Sequence, residues 1–159
     1  MSSFNITNKN ITLVGLGGLD YDITMSGAYL ARLNTAGSII FKNMRITTNY
    51  RVIHLYAATD SSLLPETAED YDTTVSFVNS TVDTTADKLA ASTTHIANMS
   101  PKGIRSDTFT FDLDATSAIN MVTSSTGTVS LIYAWNTNIS KLVVNIAGTI
   151  DIESTGASL

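Results

Sequence analysis

Carboxylates two residues apart, Asp20/Asp22 and Asp112/Asp114, are the groups in this chain best spaced for acid–base work. In a β-strand that spacing puts both groups on one face, roughly 6–7 Å apart. Glycosidases use carboxyl pairs at related separations, but they set them in a cleft with aromatic platforms and tuned environments. Here both pairs read as the solvent face of amphipathic strands. Nucleophilic catalysis needs a base beside its nucleophile. The only imidazoles are His54 and His95, and no GxSxG elbow surrounds any serine. His54 falls within an aromatic strand face and reads as a structural or interface residue; His95 falls in a segment with helical composition. Two distant histidines without a third ligand make no zinc pattern. The glycines of Gly15-Leu16-Gly17-Gly18 read as a turn, because no helix follows them as a phosphate loop would require. No enzymatic activity is expected.

Two charged groupings remain. Asp60, Glu66, Glu69, Asp70 and Asp72 crowd one acidic stretch. It reads first as a solvated loop, and second as an oxygen-rich site for Ca²⁺ between subunits, although the spacing fits no EF-hand. Lys42, Arg45 and Arg51 form the closest basic grouping. They read as an ordinary polar sheet face or, alternatively, as phosphate contacts to a nucleic acid. Five N-x-S/T sequons, starting at Asn5, Asn10, Asn79, Asn98 and Asn138, are what so much Asn, Ser and Thr produces by chance.

The elements that would carry these residues are mostly strands. Alternating apolar positions place strands at Asn10–Leu16, Tyr21–Met25, Gly37–Thr48, Asn49–Ala57, Thr73–Val82 and Thr108–Leu113. In the last of these Phe109, Phe111 and Leu113 oppose Thr110, Asp112 and Asp114. A closing pair, Thr128–Asn136 and Lys141–Glu153, completes about eight strands. In its second member Leu142, Val144, Ile146, Ile150 and Ile152 share one face. Trp135 falls on the apolar face of the first and is expected in the core. The Gly17-Gly18 pair reads as a hairpin turn. Short helices are predicted over Thr84–Met99 and Ala115–Met121, and Ser61–Asp72 reads as an acidic loop. No internal repeat is apparent. The expected architecture is all-β: an eight-stranded jelly-roll β-sandwich with one or two short inserted helices, forming one domain over residues 1–159, with 1–9 a flexible N-terminal segment.

Composition points the same way. The 159 residues contain no cysteine, so neither a disulfide nor a thiolate metal site is available. Charged residues make up 14% of the chain, against about 25% in ordinary soluble domains. Low charge suits a surface covered by neighbouring copies. The net charge of −5 argues against a free-standing nucleic-acid binder. No apolar run reaches the ~18 residues of a membrane span, and no signal peptide is visible at the N-terminus.

The order of elements from RVIHLYAATD (Arg51–Asp60), through the acidic loop and predicted helix, to SDTFTFDL and then KLVVNIAGTIDIES resembles the coat proteins of small icosahedral RNA viruses. The size resembles that of satellite viruses. The resemblance implies a structural capsid protein made in the host cytoplasm and located in the virion. It also implies a shell of about sixty copies around RNA, with Lys42, Arg45 and Arg51 facing the cargo. Many such proteins begin with a strongly basic arm, whereas residues 1–10 here hold only Lys9. A trimeric jelly-roll module of fibre tips, like those of the tumour-necrosis-factor fold, is an alternative that shares the low charge, and a carbohydrate-binding β-sandwich is a third reading.

Overall fold

The computed structural model describes residues 4–6, 9–17, 22–25, 29–33, 37–48, 51–55, 72–85, 94–99, 105–123, 129–134 and 138–154. They form fifteen strands: β1 (Phe4–Ile6), β2 (Lys9–Val14), β3 (Asp22–Met25), β4 (Tyr29–Leu33), β5 (Gly37–Lys42), β6 (Arg45–Thr48), β7 (Arg51–Leu55), β8 (Thr73–Val78), β9 (Thr81–Thr85), β10 (Thr94–Met99), β11 (Arg105–Leu113), β12 (Ala118–Thr123), β13 (Val129–Ala134), β14 (Asn138–Ile146) and β15 (Thr149–Ser154). Each strand pairs with the strands three before and three after it. The result is three five-stranded sheets, β1-β4-β7-β10-β13, β2-β5-β8-β11-β14 and β3-β6-β9-β12-β15. Every pairing is parallel. The chain therefore winds through five coils, each giving one strand to each sheet. This is a parallel β-solenoid.

The all-β class holds, but the jelly-roll pairing does not. A jelly-roll joins antiparallel neighbours, whereas here consecutive strands lie in different sheets. Period-two alternation says which side chains point inward and carries no information about the direction of the partner strand. The turn at Gly17 is thus a step from β2 in one sheet toward β3 in another, not a hairpin. Thr94–Met99 and Ala118–Met121, expected within helices, lie in the strands β10 and β12. Residues 86–93 of the first predicted helix lie outside the described residues. In β12 the apolar Ile119 and Met121 alternate into the core and pairing on both edges overrides helix propensity. Phe4–Ile6, expected to be flexible, pairs with Ala31–Leu33.

The core is built from columns of residues that meet in register from coil to coil. One runs Ile11, Ile39, Val75, Phe111, Val144, and its neighbour runs Leu13, Phe41, Phe77, Leu113, Ile146. In the next sheet Ile23, Ile46, Val82, Ile119 and Ile150 form a third. The central members of these columns are fully buried. Phe41 and Phe77 stack with centroids 5.2 Å apart and planes within 15°, and Phe111 tilts against Phe77 at 5.7 Å. Offset aromatic contacts of this kind add to the burial of the rings. In β4 and β7, Leu30 and Ala31 are both buried, as are Val52 and Ile53, so both faces are covered at these positions.

Candidate functional site

The corner between the second and third sheets concentrates the polar side chains with defined partners. It is a ladder of backbone bonds: Gly15 N–H donates to the Lys42 carbonyl at 2.9 Å, Asn43 N–H to Val78 at 3.0 Å, and Asp114 N–H to Phe77 at 3.1 Å. Asn43 and Asn79 turn the chain with φ of 55° and 45°, a left-handed conformation that asparagine tolerates. The Asn79 side-chain amide donates to Asn43 Oδ1 at 3.0 Å, linking two coils. At the first and last coils the corner uses glycine. A Cβ on Gly15 would collide with the Asn43 carbonyl oxygen, and one on Gly148 would lie 2.5 Å from the Asp114 carbonyl oxygen. Just inside the corner, Ser80 Oγ donates to either the Val78 carbonyl at 2.9 Å or that of Phe41 at 3.2 Å, and Ser117 Oγ accepts from Ser80 N–H at 3.0 Å.

Asp114 stands at this corner one coil on, in line with Val78. Its carboxylate accepts from Ser117 Oγ at 2.6 Å, Thr116 Oγ1 at 3.0 Å, Thr116 N–H at 3.1 Å and Asn79 N–H at 3.2 Å. Burial opposes its ionisation, but the bonds from Ser117, Asn79 and Thr116 outweigh that and hold the carboxyl below the usual aspartate range. A carboxyl depressed in the folded state adds stability above its unfolded pKa, about 3.9, and loses it as pH falls through the folded value. Urea midpoints measured from pH 7 downward should therefore drop through that window in the native chain. The drop should be shallower in Asp114→Asn; equal slopes would rule out this role.

The carboxylate pair expected at Asp112 and Asp114 is split between two tasks. Asp112 accepts from Ser76 Oγ at 3.2 Å on the sheet face, while Asp114 serves the corner. Of the basic trio, Lys42 ends a strand of the second sheet, Arg45 starts one of the third, and Arg51 starts one of the first. Arg45 Nε lies 3.2 Å from Asp83 Oδ2, and Asp83 Oδ1 also accepts from Asn120 at 2.8 Å. The structure thus brings Lys42 and Arg45 to one corner and puts Arg51 on a separate sheet. Asp60, Glu66, Glu69 and Asp70 lie outside the described residues. Asp72 is described, and its Oδ1 accepts from Thr108 N–H at 3.2 Å. Among the described residues no three His, Cys, Asp or Glu side chains converge as a metal site. His54 and His95 stand in the first sheet, in register with Asn98 and Ser130 respectively. Trp135 lies outside the described residues.

Sequence reasoning passed over the two ends of the solenoid. Six large hydrophobic residues are exposed among the described ones, and five of them belong to the first or last coil. Val14 is 46% and Leu16 93% exposed at one end; Leu142 is 50%, Val144 42% and Ile146 47% exposed at the other. The last three continue the columns of Phe109, Phe111 and Leu113, each of which is buried. The expected apolar face of the closing strand is real, but it is the uncovered floor of the last coil. A corner at Ala147–Gly148 also divides that strand into β14 and β15, in separate sheets.

These features define a three-sheet parallel β-solenoid with a polar corner between its second and third sheets and exposed apolar side chains on its first and last coils. No family model, no curated protein and no solved structure matches the chain.

Proposed function

We propose that this chain is a structural, non-catalytic module that self-associates through the ends of its solenoid. The observation that carries the reading is the row Leu142, Val144 and Ile146, aligned with the core and left about half exposed. A solenoid's terminal repeat ordinarily needs a polar cap for solubility. Contiguous exposed apolar side chains beside unpaired strand edges are the surface that another chain covers. The polar groups with defined partners support the same reading, since they hold the corner together.

The expectation of a closed sixty-copy shell around RNA rested on jelly-roll element order. The parallel pairings remove that basis, while the expectation of self-association carries over. The fibre-module alternative keeps its structural part on this reading, without the jelly-roll.

Val144→Lys tests the proposal, because it places a charge in the middle of the uncovered row. Size-exclusion chromatography should show this variant as a monomer with a native circular dichroism spectrum. Val122→Lys changes an exposed valine on the fourth coil and should leave association intact. Equal behaviour of the two variants would count against the proposal. Uniform closed particles absorbing strongly at 260 nm would favour the coat-protein reading instead.

A further inference from the structure

The two ends of the solenoid match one another. We infer that the partner covering the last coil is the first coil of a second copy of this chain, added head to tail with every strand still parallel. This rests on the proposed self-association and specifies its geometry.

The register supplies the argument. The columns that end at Val144 and Ile146 begin at Ile11 and Leu13, and the column that ends at Ile150 begins at Ile23. A second copy placed one strand spacing beyond the last coil sets Val144 against Ile11, Ile146 against Leu13 and Ile150 against Ile23. Apolar residues meet apolar residues at all three, while Leu142, whose column runs back through Phe109, Thr73 and Gly37 to Lys9, meets a lysine. Strand direction also agrees, because every strand of a sheet runs the same way. The last coil offers edges of 6, 9 and 6 residues in β13, β14 and β15. The first coil offers 3, 6 and 4 residues in β1, β2 and β3.

The alternative self-contact, last coil against last coil, would pair β14 with β14 across a twofold axis. In-plane pairing about such an axis makes the strands antiparallel and breaks the coil-to-coil columns. Natural sheets block unwanted edge pairing with proline or inward-pointing charges. The chain's two prolines are Pro65 and Pro101, and the core-facing positions of β14 are Leu142, Val144 and Ile146. Neither device protects this edge. A head-to-tail contact does not close on itself unless its rotation happens to, so it generates an open series of lengths.

Cross-linking tests the geometry without disturbing the core. Thr12 and Asn145 are both exposed, and they occupy the two ends of the column Thr12, Ile40, Ser76, Asp112, Asn145. Head-to-tail stacking brings Thr12 of one copy to about 4.8 Å, Cα to Cα, from Asn145 of the next. That distance lies within the range a disulfide spans. The native chain has no cysteine to interfere. Thr12→Cys mixed with Asn145→Cys should form a covalent heterodimer under mild oxidation, and neither variant alone should. Asn10→Cys, exposed but two residues out of register, should cross-link to Asn145→Cys far more slowly. Two results would overturn the inference: cross-linking of Asn145→Cys to itself, or native self-association with no cross-link in the mixed pair. A native chain that never associates would instead overturn the underlying reading of function.

Discussion

Phe77→Ala is expected to lower the unfolding free energy by about 3–5 kcal/mol, the range for truncating a fully buried phenylalanine. Phe77 has no exposed surface and lies in the third of five coils, stacked on Phe41 and touching Phe111. Its backbone neighbours are fixed on both sides by the parallel ladders to β5 and β11. Those ladders hold the strands about 4.8 Å apart, so the walls cannot close over the missing ring. In a one-dimensional stack the residue also contributes to two coil interfaces, and both weaken together. Leu142→Ala provides the contrast. Half of Leu142 is already exposed in the last coil, so its truncation should cost less than about 1 kcal/mol. Urea denaturation of the two variants measures both quantities. Similar losses at the two sites would mean that Phe77 is not central and Leu142 not terminal.

Asn79→Ala is the second large effect, expected at about 2–3 kcal/mol. Its φ of 45° costs an ordinary L-residue about 1–2 kcal/mol, which asparagine partly escapes by local hydrogen bonding. Alanine also loses the amide bond to Asn43, worth about 0.5–1.5 kcal/mol. Glycine relieves the backbone term and keeps only the second loss plus some chain entropy, about 1–2 kcal/mol. The order of stability should therefore be Asn, then Gly, then Ala. Alanine more stable than glycine at this position would show that the corner does not require a left-handed residue. Thermal melts of the three proteins decide the order.

The legible part of this fold was its alternation. Spacing alone puts Phe109, Phe111 and Leu113 on one face, and all three are buried. Val75 and Phe77 likewise fell in a strand and are core residues. What alternation could not convey was which strand lies beside which. The signal for that was a repeat hidden by unequal insertions. Ile39-Ile40-Phe41-Lys42-Asn43 and Val75-Ser76-Phe77-Val78-Asn79 are 36 residues apart and pair in register up to the corner. Ile46 and Val82 follow at the same distance. The next coil has three residues, Asp114 to Thr116, between Leu113 and Ser117 where Val78 and Asn79 stand between Phe77 and Ser80, and that one added residue shifts the spacing of Val82 to Ile119 to 37. In the first sheet the steps vary far more, from Ala31 to Ile53 and then to Ala97, so a fixed period vanishes there.

Lys42, Arg45 and Arg51 illustrate the same limit from the side of chemistry. They are close in sequence, yet two sheet changes separate the first from the last. Nearness along a solenoid chain carries residues around the cross-section, whereas nearness in space comes from residues one coil apart. Asp83 with Asn120, and Asn43 with Asn79, are neighbours of that second kind. A period-two strand implies a covered face, so the spacing of Leu142, Val144 and Ile146 predicts a burial that the last coil does not provide. Whether a further layer covers that face depends on the position of the coil in the stack.

Sedimentation velocity of the native chain over a wide concentration series tests the central claim, that the solenoid ends make this a self-associating structural module. The account predicts a monomer at the lowest concentrations that gives way to an open, growing series of oligomers as concentration rises. A single monomeric boundary at every concentration would contradict it.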